Sequence, residues 1–210
     1  LTAIKIHVRT TEEVCRKQTD MQTEALTQSL IEQTRQLLNE AEKLKACDDA
    51  TLNRRSNESS WSILECLEHL NLYGDFYLPQ IEEKIRRTTT TSEPAFRSGR
   101  LGNYFAQSML PKEKLNKMKT FKDKNPIHSK LDRAVIDRFI GQQVRLLDLL
   151  DRSRRVSLNK VRIETTLTRL IRLKLGDAFS FLINHMIRHF SQIKGIQEEL
   201  KISAPSGVRR

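Results

Sequence analysis

The chain has 210 residues, 38% of them apolar, which is enough for one sizeable core and for one domain or at most two. Seven Gly and five Pro are too few for a chain that turns back every ten residues, so an all-β sandwich or barrel is excluded in favour of an all-α class. The 37 Lys and Arg against 26 Asp and Glu leave a net charge of +11, which attracts nucleic acid, acidic membranes or small anions without choosing among them.

Residues 1–18 alternate briefly at Ile4, Ile6 and Val8 and then turn polar, which reads as a leader or arm of no assigned function. From Asp20 to about Lys45, Leu26, Leu30, Leu37, Ala41 and Leu44 repeat at helical spacing and predict helix one. Asn53 to Ser60 is a polar break. Ser62 and Glu65 then form a capping box, with Trp61 and Cys66 placed for a hydrophobic staple. Helix two follows from Ile63 to about Arg87, with Leu67, Leu70, Tyr77, Ile81 and Ile85 on its buried stripe and a kink expected at Pro79.

Residues 88–128 hold a Thr run, two Gly, three Pro and many Lys, far more than the 2 to 8 residues usual between antiparallel bundle helices. A connection of that length crosses the bundle, lets helices two and three run parallel, and predicts a four-helix bundle in up-down-down-up order. Helix three is expected from about Lys130 to Arg152, with Leu131, Val135, Phe139, Leu146 and Leu150 inward. A linker rich in β-branched residues leads to Gly176-Asp177, which offers an N-cap for helix four, Ala178 to about Leu200, with Phe181, Leu182, Ile193, Ile196 and Leu200 inward. The bundle thus occupies residues 19–202 and a tail residues 203–210.

No apolar run reaches the roughly 18 residues of a membrane span, and no signal peptide opens the chain. Cys15, Cys47 and Cys66 are odd in number and lack CxxC spacing, so free thiols and a cytoplasmic location are expected, with neither a disulfide framework nor a zinc knuckle. The basic residues are dispersed, mostly at helix ends and in the crossover. They read as a solvated surface rather than a nucleic-acid face.

Histidine is the informative residue. His185 and His189 stand four apart, so their side chains stack on one helix face within reach of a single divalent ion. His69 lies at the edge of the helix-two stripe, where a bundle aims it at a facing helix. Three neutral imidazoles leave an open coordination position, as catalytic rather than structural zinc does. The bland alternative is a set of core histidines hydrogen-bonded to neighbours, although three together would each bring a polar nitrogen to satisfy. His7 and His128 are expected to face solvent, and Met186 stands where an HExxH protease needs its glutamate.

The pattern Trp61-Ser62-x-x-Glu65-x-x-x-His69-Leu70, then Leu175-Gly176-Asp177-Ala178 and His185-x-x-x-His189-x-x-Gln192-Ile193, resembles the DinB/YfiT-like superfamily over about residues 20–200. Phe96-Arg97-Ser98-Gly99, Leu101-Gly102-x-Tyr104-Phe105 and Met109-x-Pro111 are similar to the crossover loop of a subgroup of that family. The resemblance implies a four-helix bundle holding zinc or nickel on one His of helix two and two of the last helix, here His69, His185 and His189. It also implies metal-dependent enzymes, either S-transferases that use a low-molecular-weight thiol or hydrolases.

Thiol transfer is the preferred expectation, because a cationic protein suits the carboxylates and phosphates of small thiols and their targets. Arg97, Arg100 and Lys112 are candidate contacts for an anionic small-molecule substrate, against the plainer reading of solvated loop charges. Glu65 and Gln192 are candidates to orient a ligand, and Glu65 also to act in catalysis, although the capping box competes for it. The alternative outside enzymes is a metal-stabilised, stress-associated binding module. No sequence-specific nucleic acid and no membrane is expected as partner, and a homodimer is left open.

Overall fold

The computed structural model describes residues 21–111, 120–168 and 170–203, with side chains described through 199. The arm over 1–18 and the tail beyond Ser203 lie outside the described residues, as do Cys15 and Lys112. The helices are α1 (Thr23–Leu44), α2 (Asp49–Asn53), α3 (Ile63–Arg87), α4 (Arg100–Ser108), α5 (Ala134–Ser153) and α6 (Leu175–Ser203). Two small antiparallel pairs accompany them: β1 (Met21–Gln22) with β2 (Ala95–Phe96), and β3 (Arg162–Glu164) with β4 (Arg172–Lys174). No helix among the described residues is long and apolar enough to cross a membrane.

The four long helices are α1, α3, α5 and α6, with α1 and α3 each packed against α5 and α6. Their directions follow from named contacts. Arg133, at the start of α5, donates to the Lys45 and Cys47 carbonyls beyond the end of α1, while Arg154, past the end of α5, pairs with Glu24 at the start of α1. Those two helices are antiparallel. Arg138 of α5 pairs with Glu68 and Asp75 early in α3, and Arg145 and Arg152 with Glu82 late in it, so α3 and α5 run parallel. Phe181 meets Tyr77, and His185 meets Tyr73 one turn earlier, so α6 opposes α3. The order is up-down-down-up.

Helix α3 begins where its cap dictates. Ser62 Oγ accepts from the Glu65 N–H at 3.2 Å, and the Glu65 carboxylate accepts from the Ser62 N–H at 2.8 Å. Fourteen residues from Ile63 to Ile85 are buried, and the helix runs unbroken through Pro79. In α1, the buried Thr27 and Thr34 donate their hydroxyls to the carbonyls four residues back, which lets polar side chains lie on a core-facing stripe.

Several boundaries depart from the sequence expectation. Helix one starts at Thr23 rather than Asp20, because Met21–Gln22 is extended against Ala95–Phe96 and the Thr23 N–H donates to the Pro94 carbonyl at 2.9 Å. Helix three starts at Ala134 rather than Lys130, which leaves Leu131 half-buried outside it. The β-branched linker forms the β3–β4 hairpin, and the crossover contains α4 and a 3-10 turn at Lys122–Lys124.

The largest correction concerns Asp177. Helix α6 already begins at Leu175, so Asp177 lies within its first turn instead of capping it. Its buried carboxylate reaches across to the crossover, where it accepts from the Ser98 hydroxyl and from the Gly99 N–H at 2.9 Å, at the entrance to α4. Burial raises its pKa against the pull of those donors and of Lys174 and Arg162. A Cβ on Gly102 would stand 2.6 Å from the Asp177 Cβ, and one on Gly176 2.6 Å from the Phe96 ring. Glycine is what allows the crossover to lie this close to α6.

Candidate metal centre

His69 enters the core from the second turn of α3, and His185 and His189 face it from α6. All three are buried, at 3%, 5% and 8% exposure. His185 Nε2 stands 3.1 Å from His69 Nε2 and 3.0 Å from His189 Nε2. One ligand atom from each of the three residues lies within 4.8 Å of those of the others, and this is the group of potential ligands found among the described residues.

The outer nitrogens decide what the inner ones carry. The Lys124 carbonyl can only accept, so His69 Nδ1, 2.6 Å away, donates to it and His69 Nε2 presents a lone pair. His189 Nδ1 is 3.1 Å from Gln192 Oε1 and is fixed in the same way. Two lone pairs then face a third nitrogen that can bring at most one proton while neutral. A cation is the group that satisfies all three.

The spacing agrees, since two nitrogens sharing an ion at about 2.0–2.1 Å stand roughly 2.9 to 3.4 Å apart for angles between about 90° and 110°. Protonation is an unfavourable substitute. Burial lowers His69 to about 4 and His189 to about 3, and burial with the neighbouring imidazoles and Arg188 pushes His185 well down, so all three are neutral at pH 7. His185 Nδ1 is buried without a hydrogen-bond partner.

Aromatic rings wall the site. The Trp61 indole stacks on His189 at 5.6 Å and tilts over His69 at 4.7 Å, while its N–H donates to Asn125 Oδ1 at 3.1 Å. Tyr73 meets the edge of His185 at 4.5 Å. Trp61, expected as a staple residue, thus covers two imidazoles, and the Lys124 carbonyl, a main-chain group in the crossover, had no side-chain signal by which to be found.

Glu65 stands one turn before His69 and is fully engaged. Its carboxylate accepts from Arg55 at 2.6 and 2.8 Å, from the Ser62 N–H, and from the His128 N–H at 2.5 Å. The Arg55 guanidinium and the two main-chain donors outweigh burial and hold its pKa below the usual carboxylate range. His128 is itself exposed, with a positive φ of 64°. Arg97 and Arg100 are exposed on the crossover. Arg97 borders a cleft of about 530 Å³ with Glu93, Asn159, Lys160 and Lys174, and none of the three histidines lines it. Cys47 and Cys66 are free thiols.

A family model described as the DinB superfamily matches residues 30–193. No curated protein matches the chain. Among solved structures the chain is similar to YfiT from Bacillus subtilis, described as "a probable metal-dependent hydrolase with an unusual four-helix bundle topology", with a TM-score of 0.52, 11% identity, and coverage of 95% of this chain and 94% of that one. At that identity the likeness is one of fold.

Proposed function

The chain belongs to the DinB superfamily, and from that premise we propose that it is a metal-dependent enzyme acting on a small molecule, with His69, His185 and His189 as the ligands of one divalent ion, zinc or nickel. The observation that carries this reading is the convergence of three buried Nε2 atoms, two of them held as acceptors by fixed outer hydrogen bonds. An ion bound by three neutral imidazoles keeps its full charge and lowers the pKa of a thiol or water beside it.

The rest is done by the chain itself. The Lys124 carbonyl and Gln192 set the imidazole tautomers, Trp61 and Tyr73 exclude water from two sides, and Glu65 positions His69 by fixing the start of α3. In this reading Glu65 buttresses the site and does not react, and Arg97 and Arg100 serve the crossover surface. We take the reaction to be transfer onto a low-molecular-weight thiol in the cytoplasm, since the net charge of +11 suits the carboxylates such thiols carry. The second reading is hydrolysis, which the likeness to YfiT favours.

Elemental analysis of the purified protein is expected to give one divalent ion per chain, lost in His185→Ala; an ion retained in the triple His→Ala variant would sink the proposal. Turnover of a small thiol with an electrophile, compared with ester and amide substrates on the loaded protein, separates the two reactions. Silence in both would leave a non-catalytic metal site and overturn the enzyme reading.

A further inference from the structure

The β3–β4 hairpin carries a surface that the histidine centre does not use. Ile163 and Leu173 lie opposite each other and are buried, so strand alternation sends the flanking pairs, Arg162 with Lys174 and Glu164 with Arg172, to the outer face. Residues 160–174 hold Lys160, Arg162, Arg169, Arg172 and Lys174 against one carboxylate, Glu164. Arg172 stands 3.9 Å from Glu164, and Lys160 3.1 Å from Glu93 of the crossover, so the face stays cationic overall. Arg97 continues it across the cleft that Lys160 and Lys174 also line.

The turn that joins the two strands projects leucine. Leu167 is 46% exposed, and Leu170, at 92%, is the most exposed large apolar side chain among the described residues. The turn is braced from within. The Thr165 N–H donates to the Ile171 carbonyl, the Ile171 N–H to the Thr168 carbonyl and the Leu170 N–H to the Thr168 hydroxyl, each at 3.2 Å. The Thr166 N–H ties it to the Tyr77 hydroxyl of α3 at 3.3 Å. A single exposed leucine is ordinary on a protein surface. Two on one braced turn, backed by cations, match a lipid interface, where apolar side chains pass the headgroups and basic ones meet the phosphates.

Charge selects among the occupants. A second copy would set one cationic hairpin against another, and like charges repel. A nucleic acid suits the cations but offers its phosphate backbone, not an apolar phase, to the projecting leucines. An anionic bilayer supplies both. We propose that the β3–β4 hairpin is a peripheral docking element for an anionic phospholipid surface, with Leu167 and Leu170 entering the interface and Arg162, Arg172 and Lys174 facing headgroup phosphates. The sequence expectation of no membrane partner came from the lack of a spanning run, and lying on a membrane needs none. The proposal goes beyond the metal reading and holds with or without a bound ion.

The test is flotation of the full chain with vesicles of phosphatidylcholine alone or with about 30% phosphatidylglycerol, at about 150 mM salt. The chain is expected to float with the anionic vesicles only. Leu167→Ser with Leu170→Ser leaves the net charge unchanged and is expected to weaken partitioning about tenfold at an unchanged thermal midpoint. Leu170→Ser alone serves if the double variant does not fold. Arg172→Gln is expected to lose about threefold. Val144→Ser, which alters an exposed apolar residue on α5, should change nothing. Failure to float with anionic vesicles, or flotation that survives loss of both leucines, overturns the inference. So does a leucine-dependent self-association or duplex binding without flotation, which would give the turn to a second copy or to nucleic acid.

Discussion

Trp61 is the only tryptophan in the chain, and its indole lies 4.7 and 5.6 Å from two of the three imidazoles. Its fluorescence is therefore a direct reporter: adding zinc or nickel to metal-free protein should change the emission in a saturable way, with no change in His185→Ala. A saturable response that survives in that variant would place the ion elsewhere. Glu65 has a pH signature. Its pKa is held below the unfolded value of about 4.3, so its contribution to stability is complete above that value and is lost as pH falls through the folded one. Glu65→Gln, which can still cap α3 but loses the charged bonds to Arg55, should cost roughly 2 to 3 kcal/mol at pH 7. Chemical denaturation should show the gap between the two proteins narrowing as pH falls below the unfolded value of about 4.3 and vanishing only below the folded one, and a gap that stays constant with pH would refute the assignment. At this scale the sequence was readable where spacing carried the signal, in Ser62-x-x-Glu65 and His185-x-x-x-His189, and silent where a main-chain carbonyl did the work, as at Lys124.

The docking of α4 onto α6 depends on two glycines and one carboxylate. Gly102→Ala pushes a methyl into the buried Asp177 side chain and should destabilise by about 1 to 3 kcal/mol. Gly141→Ala in α5, where a Cβ meets nothing within 4 Å, should instead stabilise by about 0.5 to 1 kcal/mol. Equal effects in urea melts would show that α4 is not seated on Asp177. The same region shows why some elements escaped the sequence. Helical periodicity revealed α1, α3, α5 and α6, each of which presents an apolar stripe over twenty or more residues. Helix α4 has nine residues interrupted by Gly102, and the strands of the β3–β4 hairpin have three each, too short for any period to emerge. Asp177 was misplaced because Gly-Asp before an apolar run is a capping signal, whereas the Leu175 N–H already finds the Val161 carbonyl at 3.0 Å and the helix starts at Leu175, three residues before Ala178.

The whole molecule carries +11, so association with DNA or RNA at low salt is expected from charge alone. Many of its cations are committed to intramolecular pairs, among them Arg133, Arg138, Arg145, Arg152 and Arg154, which hold α5 against its neighbours. Binding should be insensitive to sequence and should fall steeply between about 50 and 200 mM salt, as polarisation titrations on unrelated duplexes would show. Selective binding that persists at 200 mM would contradict this. The bundle order was legible from the length of the crossover, because only a connection crossing the molecule lets α3 and α5 run the same way. The donor set has a further consequence for how the molecule is assembled. His69 and His185 are 116 residues apart, on antiparallel helices made at different times. A nascent chain that has emerged only through α5 owns one imidazole of three, and α6 alone owns two. On the metal reading proposed above, tight uptake would thus be withheld from every partial product and granted only on the docking of α6, so that the ion would act as a seal on finished molecules.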